Sequence, residues 1–176
     1  MEKDGFHYIV LLPDDMREQL RRLPANKKQW PRDFHERYRR LHAEFTSSKA
    51  AFVAWARKDR DRRMTRTAKI LLSYLVDCLN FETSRCDPSQ QTIADEIGVC
   101  SRTVERVIRQ IVAAGWLEVY RRGKTATNFY RLRVTAEKLA AISDAQAARW
   151  AADDATAGPA INSNNRQCQQ DAGCRK

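Results

Sequence analysis

Arg102 and Arg106 stand four residues apart, with Ser101 and Thr103 beside them and Arg109 and Gln110 further along the same run. On a helix, residues at that spacing are neighbours on one face, so the two guanidinium groups project together. An arginine fork donates to guanine O6 and N7 at once, and a threonine reaches a thymine methyl or a phosphate. Arg109 and Gln110 sit where a helix lying in a groove meets the nucleic-acid backbone. Arg121, Arg122 and Lys124 form a second basic group, placed for phosphate or minor-groove contact. This is the chemistry of recognising a polyanion, and double-stranded DNA is the partner it fits.

Bond-making chemistry finds no comparable constellation. The chain has no phosphate-cradling glycine loop, no H-E-x-x-H and no serine in a nucleophile elbow. Asp95 and Glu96 are adjacent carboxylates, and adjacent helical residues point to different faces. Cys78, Cys86, Cys100, Cys168 and Cys174 include no C-x₂-C or C-x₄-C pair, which argues against structural zinc and against a disulfide framework. The expectation is a non-enzymatic protein without metal or cofactor.

The elements that must position the arginines are legible around two glycines. Ser89 is an N-cap, with Pro88 before it, for a helix to about Ile97 that buries Ile93, Ala94 and Ile97. Gly98 closes that helix in the left-handed conformation. The next helix, about Ser101 to Ala114, buries Val104, Val107, Ile108, Ile111 and Val112, which leaves the arginines outward. Gly115 stops it. Leu117–Arg121 and Phe129–Val134 alternate as half-buried strands, and residues 122–128 form the polar, basic hairpin loop between them. Helix, turn, helix, strand, wing, strand is the order of a winged helix-turn-helix. The fold class expected is mostly α with a small β-wing.

One position within this pattern is unusual. Taking Cys100 as the N-cap sets Val99 and Val104 as a hydrophobic staple, whereas taking Ser101 forms none. Sulfur is a weak acceptor, so Cys100→Ser should stabilise the helix. A thiol at a helix N-terminus beside Arg102 is also a candidate for oxidation.

Around this core the chain divides into four parts: a basic helical extension at 1–64, the DNA-binding domain at 65–134, a C-terminal helix at 135–157 and a disordered tail at 158–176. Residues 6–12 read as a short strand or extended segment ended by Pro13, and Asp14 and Asp15 as caps of a brief helix to Arg22. From Arg32 to about Arg63, Phe34, Tyr38, Leu41, Phe45, Phe52 and Trp55 recur on one helical face, with Ser48 filling the missing place. Thr46-Ser47-Ser48 leaves open one long helix or two. This aromatic face packs on the DNA-binding domain or on a second copy, so a homodimer is open; the functional alternative is an arm that grips phosphate with its basic side. The run Arg57–Arg66 mixes signs and reads as a solvated linker or as extra phosphate contacts. Thr67 to Asn80 is the first helix of the domain, residues 81–87 the connection with a possible short strand, and Thr135 the N-cap of the last helix. The tail, rich in Asn, Gln and Ser, offers little to bury.

Charge agrees with the choice of partner. The net +10 is unevenly spread: residues 1–64 hold 16 basic and 10 acidic side chains, residues 65–134 hold 11 and 7, and residues 135–176 hold 5 of each. Lysines and arginines meeting phosphates release condensed counterions. The N-terminus is acidic where an export signal needs a basic start, and no apolar run would span a bilayer, so the expected location is the cytoplasm.

The stretch PSQQTIADEIGVCSRTVERVIRQIVAAGWLEV resembles the bacterial helix-turn-helix family found in plasmid and phage replication proteins and in related transcription regulators. The resemblance covers roughly residues 65–134. It implies DNA binding in transcription regulation or in replication initiation of a plasmid- or phage-like element. Where that family has serine after glycine-valine, this chain has Cys100. A different class of reading is a protein-interaction module built on the same scaffold.

Overall fold

The structure is a computed structural model that describes residues 6–7, 9–121 and 128–156. The chain divides into two compact units, one up to Ile142 and one from Ser143 onward. The first unit carries α1 (Asp14–Arg22), α2 (Arg32–Lys58), α3 (Arg66–Cys78), α4 (Gln90–Ile97) and α5 (Ser101–Ala113). It also carries β1 (Phe6–His7), β2 (Leu117–Arg121), β3 (Asn128–Leu132) and β4 (Val134–Thr135), and the first turns of α6 (Ala136–Thr156). β2 and β3 pair antiparallel with Leu117 opposite Leu132 and Arg121 opposite Asn128, and β1 pairs with β4. The fold is a mostly helical winged helix-turn-helix.

Local chemistry sets most of the boundaries. The Thr65 and Ser89 hydroxyls cap α3 and α4 by accepting from Ala68 N and Thr92 N. Thr135 does the same for α6, accepting from Lys138 N at 3.2 Å. The α1 cap differs from expectation. Pro13 occupies the N-cap and Asp14 and Asp15 lie inside the first turn, where carboxylates meet the positive end of the helix dipole. Asp14 pairs with Arg17 at 2.8 Å and Asp15 with Arg37 at 3.2 Å. Within 6–12 the strand is confined to Phe6–His7. Ile9 and Leu12, further along, are buried.

α2 is one helix of 27 residues. Its polar triplet does not break it, because the Thr46 and Ser48 hydroxyls donate back to the His42 and Phe45 carbonyls. Ser48 also accepts from Val10 N at 3.1 Å, which explains a polar residue in an otherwise aromatic stripe. That stripe packs on the helix-turn-helix region. Phe81 stacks edge-on to Tyr38 and tilted to Phe45, and Phe52 meets Trp116 edge-to-face at 5.2 Å. Buried α3 residues Ala68, Leu71, Leu72 and Leu75 join the same core. The 81–87 connection contains no strand. It turns at Ser84 and is held to the wing by Tyr130 N donating to Cys86 O at 2.8 Å.

The described part of the second unit is the remainder of α6, rich in alanine and carrying Trp150, which is exposed. Among the described residues no helix is long and apolar enough to cross a membrane.

Candidate nucleic-acid interface

The turn between α4 and α5 is built by Gly98, at φ 69° and ψ 39°, whose N–H donates to Ala94 O. Few residues with a Cβ adopt that conformation. Cys100 is the N-cap of α5, and its carbonyl accepts from Thr103 N and Val104 N at 2.9 and 3.1 Å. Its side chain makes no capping hydrogen bond. The sulfur instead lies 3.3 Å from the Thr103 hydroxyl. That hydroxyl, with the amide N–H groups of Thr103 and Arg102, holds the Cys100 thiol below its usual proton affinity.

Val104, Val107, Ile108 and Ile111 form the buried face of α5. Val112, expected inside, is 40% exposed. It follows Ile111 by one residue, about 100° round the helix and off the buried face. Arg102, Arg106 and Arg109 lie on the exposed face, while Ser101, Thr103 and Gln110 are half-buried. Arg109 pairs with Glu105 at 3.6 Å. Ser101 donates to Gln91 at 2.8 Å, pinning the first turn of α5 to α4. Among the described residues, Arg102 and Arg106 have no ion pair. The arrangement presents two free guanidinium groups one turn apart on a helix fixed from behind.

The β2–β3 hairpin carries the wing. Arg121 ends β2, and Arg122 and Lys124 lie outside the described residues. At the base of the hairpin Arg133 pairs with Glu118, and the Tyr120 hydroxyl donates to Glu118 at 2.6 Å.

Sequence reasoning missed the group of residues that fixes the far end of α5. Asp59 is 5% exposed and accepts from the Trp116 indole at 2.7 Å. Lys138 lies 2.9 Å from Asp59 and 3.6 Å from Asp61, and donates to Ala114 O. Arg63 clasps Asp61 at 2.7 Å and donates to Ala113 O. Two cations therefore meet the carbonyls at the C-terminal end of α5, where the helix dipole favours them. Burial pushes the Asp59 carboxyl up, but the Asp61 amide, the Trp116 indole and Lys138 outweigh it and hold the group below its ordinary 3.8. Hydrogen bonding by Arg63 does the same to Asp61, more strongly. In the run Arg57–Arg66, Asp59, Asp61 and Arg63 are thus structural. The only hint in the sequence was two acids set among five arginines.

Among the described residues no group of His, Cys, Asp and Glu could hold a metal ion. Residues 62–117 match a helix-turn-helix domain family, which covers α3, α4, α5 and the entry to β2. No curated protein matches the chain, and no solved structure does.

Proposed function

We propose that this chain is a sequence-specific double-stranded DNA-binding protein, with α5 as the helix that enters the major groove. The observation that carries the reading is the pair Arg102 and Arg106, exposed and without ion pairs among the described residues, on the helix whose opposite face is buried. Arg102, Arg106 and Thr103 read base edges and Ser101 sets their first turn. Arg109 and Gln110 meet the backbone, and Arg121, Arg122 and Lys124 hold phosphates from the wing. The segment 65–134 is the DNA-binding part, with 1–64 as its buttress. The protein acts without catalysis, in the bacterial cytoplasm, in transcription regulation or in replication initiation of a plasmid- or phage-like element.

The test is selection of bound duplexes from a random pool, followed by titration of the winner against salt. Binding that discriminates sequence and weakens steeply with salt supports the reading. Binding to no duplex, with a protein partner insensitive to salt, replaces it by the interaction-module reading. Spaced direct repeats in the selected site favour initiation, and a palindrome favours regulation.

A further inference from the structure

The basic loop between α2 and α3 is anchored at one place and open at others. Arg63 and Asp61 tie it to Ala113 and Lys138, at the C-terminal end of α5. Arg60 and Arg62, which flank Asp61, are exposed and have no hydrogen bond or ion pair among the described residues. Arg66, at the start of α3, is likewise exposed and unpaired among them, and it lines one open groove with Arg57 and Lys69. Lys69 donates to the carbonyls of Arg57 and Asp59, and the nearby Arg60 charge adds to desolvation in lowering its proton affinity. Asp77 and Glu96 also line that groove, whereas Arg60 and Arg62 keep unpaired guanidinium groups among the described residues, which is the electrostatic mark of an anion site.

Helix geometry says which anion is within reach. From Arg106 to Ala113 is seven residues, about 10 Å along the axis. The major groove is about 12 Å wide. A helix that sets Arg102 and Arg106 on base edges therefore brings its far end to the groove wall, where the phosphates lie.

We infer that Arg60 and Arg62, held at the end of α5 by the Arg63–Ala113 contact, bind DNA backbone phosphates beside the site that α5 reads. This rests on α5 being the reading helix. The loop adds affinity without sequence preference and fixes how far along the groove the helix lies. The N-terminal extension is thus part of the DNA-contacting surface as well as a packing element.

The experiment uses the full chain and its selected duplex. Arg60→Gln/Arg62→Gln is compared with wild type, with Arg102→Gln, and with Arg21→Gln/Lys28→Gln. Arg21, in α1, and Lys28 both precede α2, whose length from Phe34 to Lys58 is about 36 Å. Melting temperature is recorded for each as a check on folding. Loss of two phosphate contacts should make the slope of log K against log salt shallower by about 1.8, with the ratio of specific to non-specific affinity kept. Arg102→Gln should lose that ratio, and Arg21→Gln/Lys28→Gln should leave the slope as in wild type. An unchanged slope in Arg60→Gln/Arg62→Gln overturns the inference alone, as does an equal fall in the remote pair. Wild type that binds no duplex removes the reading of α5 and this inference with it.

Discussion

The Trp116 indole donates to Asp59 across 2.7 Å, joining residues 57 positions apart. Asp59 closes α2, Trp116 follows the α5 C-terminus, and Lys138 on α6 meets the same carboxylate. One buried anion thus gathers three segments at the C-terminal end of α5.

That carboxylate makes stability depend on acid. Its folded proton affinity is depressed, so it contributes fully above its unfolded value, near 3.8, and the contribution is lost as pH falls through the folded one. Asp59→Asn should destabilise the protein by about 2 kcal/mol at pH 7. The gap from wild type should narrow at pH 3. Urea midpoints at both pH values measure this, and an equal gap at both would refute it.

Cys100 caps α5 without a capping hydrogen bond. Cys100→Ser supplies a better acceptor at that place and should raise the melting temperature by a few degrees, with an equal or lower value counting against the account. The thiol itself should react early. Peptide-resolved alkylation of the native protein at pH 7.5 should modify Cys100 ahead of Cys86, whose thiol burial pushes up to about 12. Equal rates would contradict that ordering.

Gly98 has open space where a Cβ would stand, with nothing within 4 Å. Its substitution therefore tests backbone strain alone. Gly98→Ala should cost about 1 kcal/mol from the positive φ, and Gly98→Asn less. Thermal melts that place alanine level with glycine would show that the turn relaxes.

Arg102→Ala and Arg106→Ala should each reduce preference for the selected duplex over a scrambled one by about 1–3 kcal/mol. Competition binding at fixed salt reads this directly. Uniform weakening on both duplexes would reassign that arginine to the backbone.

What was legible in the sequence was local. Ser89, Gly98 and Thr135 announce helix ends because a cap or a left-handed turn depends on a few neighbouring residues. The order of helices and strands, the exposed arginines and the aromatic face of α2 follow from periodicity. Periodicity blurred at Val112, one step past the buried face. Asp59 was hidden in a basic run because its partners Trp116 and Lys138 come from distant sequence, and no local rule pairs them. Thr46-Ser47-Ser48 left one helix or two open because the hydroxyls' return to carbonyls in the preceding turn is invisible until the helix is seen. The wing residues Arg122 and Lys124 lie beyond the described residues, and their phosphate role stays with the functional proposal.

The pairing of Phe6–His7 with Val134–Thr135 has a consequence for synthesis on the ribosome. The earliest strand finds its mate only after the wing has been made, and the aromatic face of α2 waits for Phe81 and Trp116. At roughly 5–20 residues per second, the interval from His7 to Val134 is on the order of 6–25 s. Tyr38 waits for Phe81 over 43 residues and Phe52 for Trp116 over 64, on the order of 2–9 s and 3–13 s at the same rate. The contacts that close this core therefore join segments made early and late in synthesis.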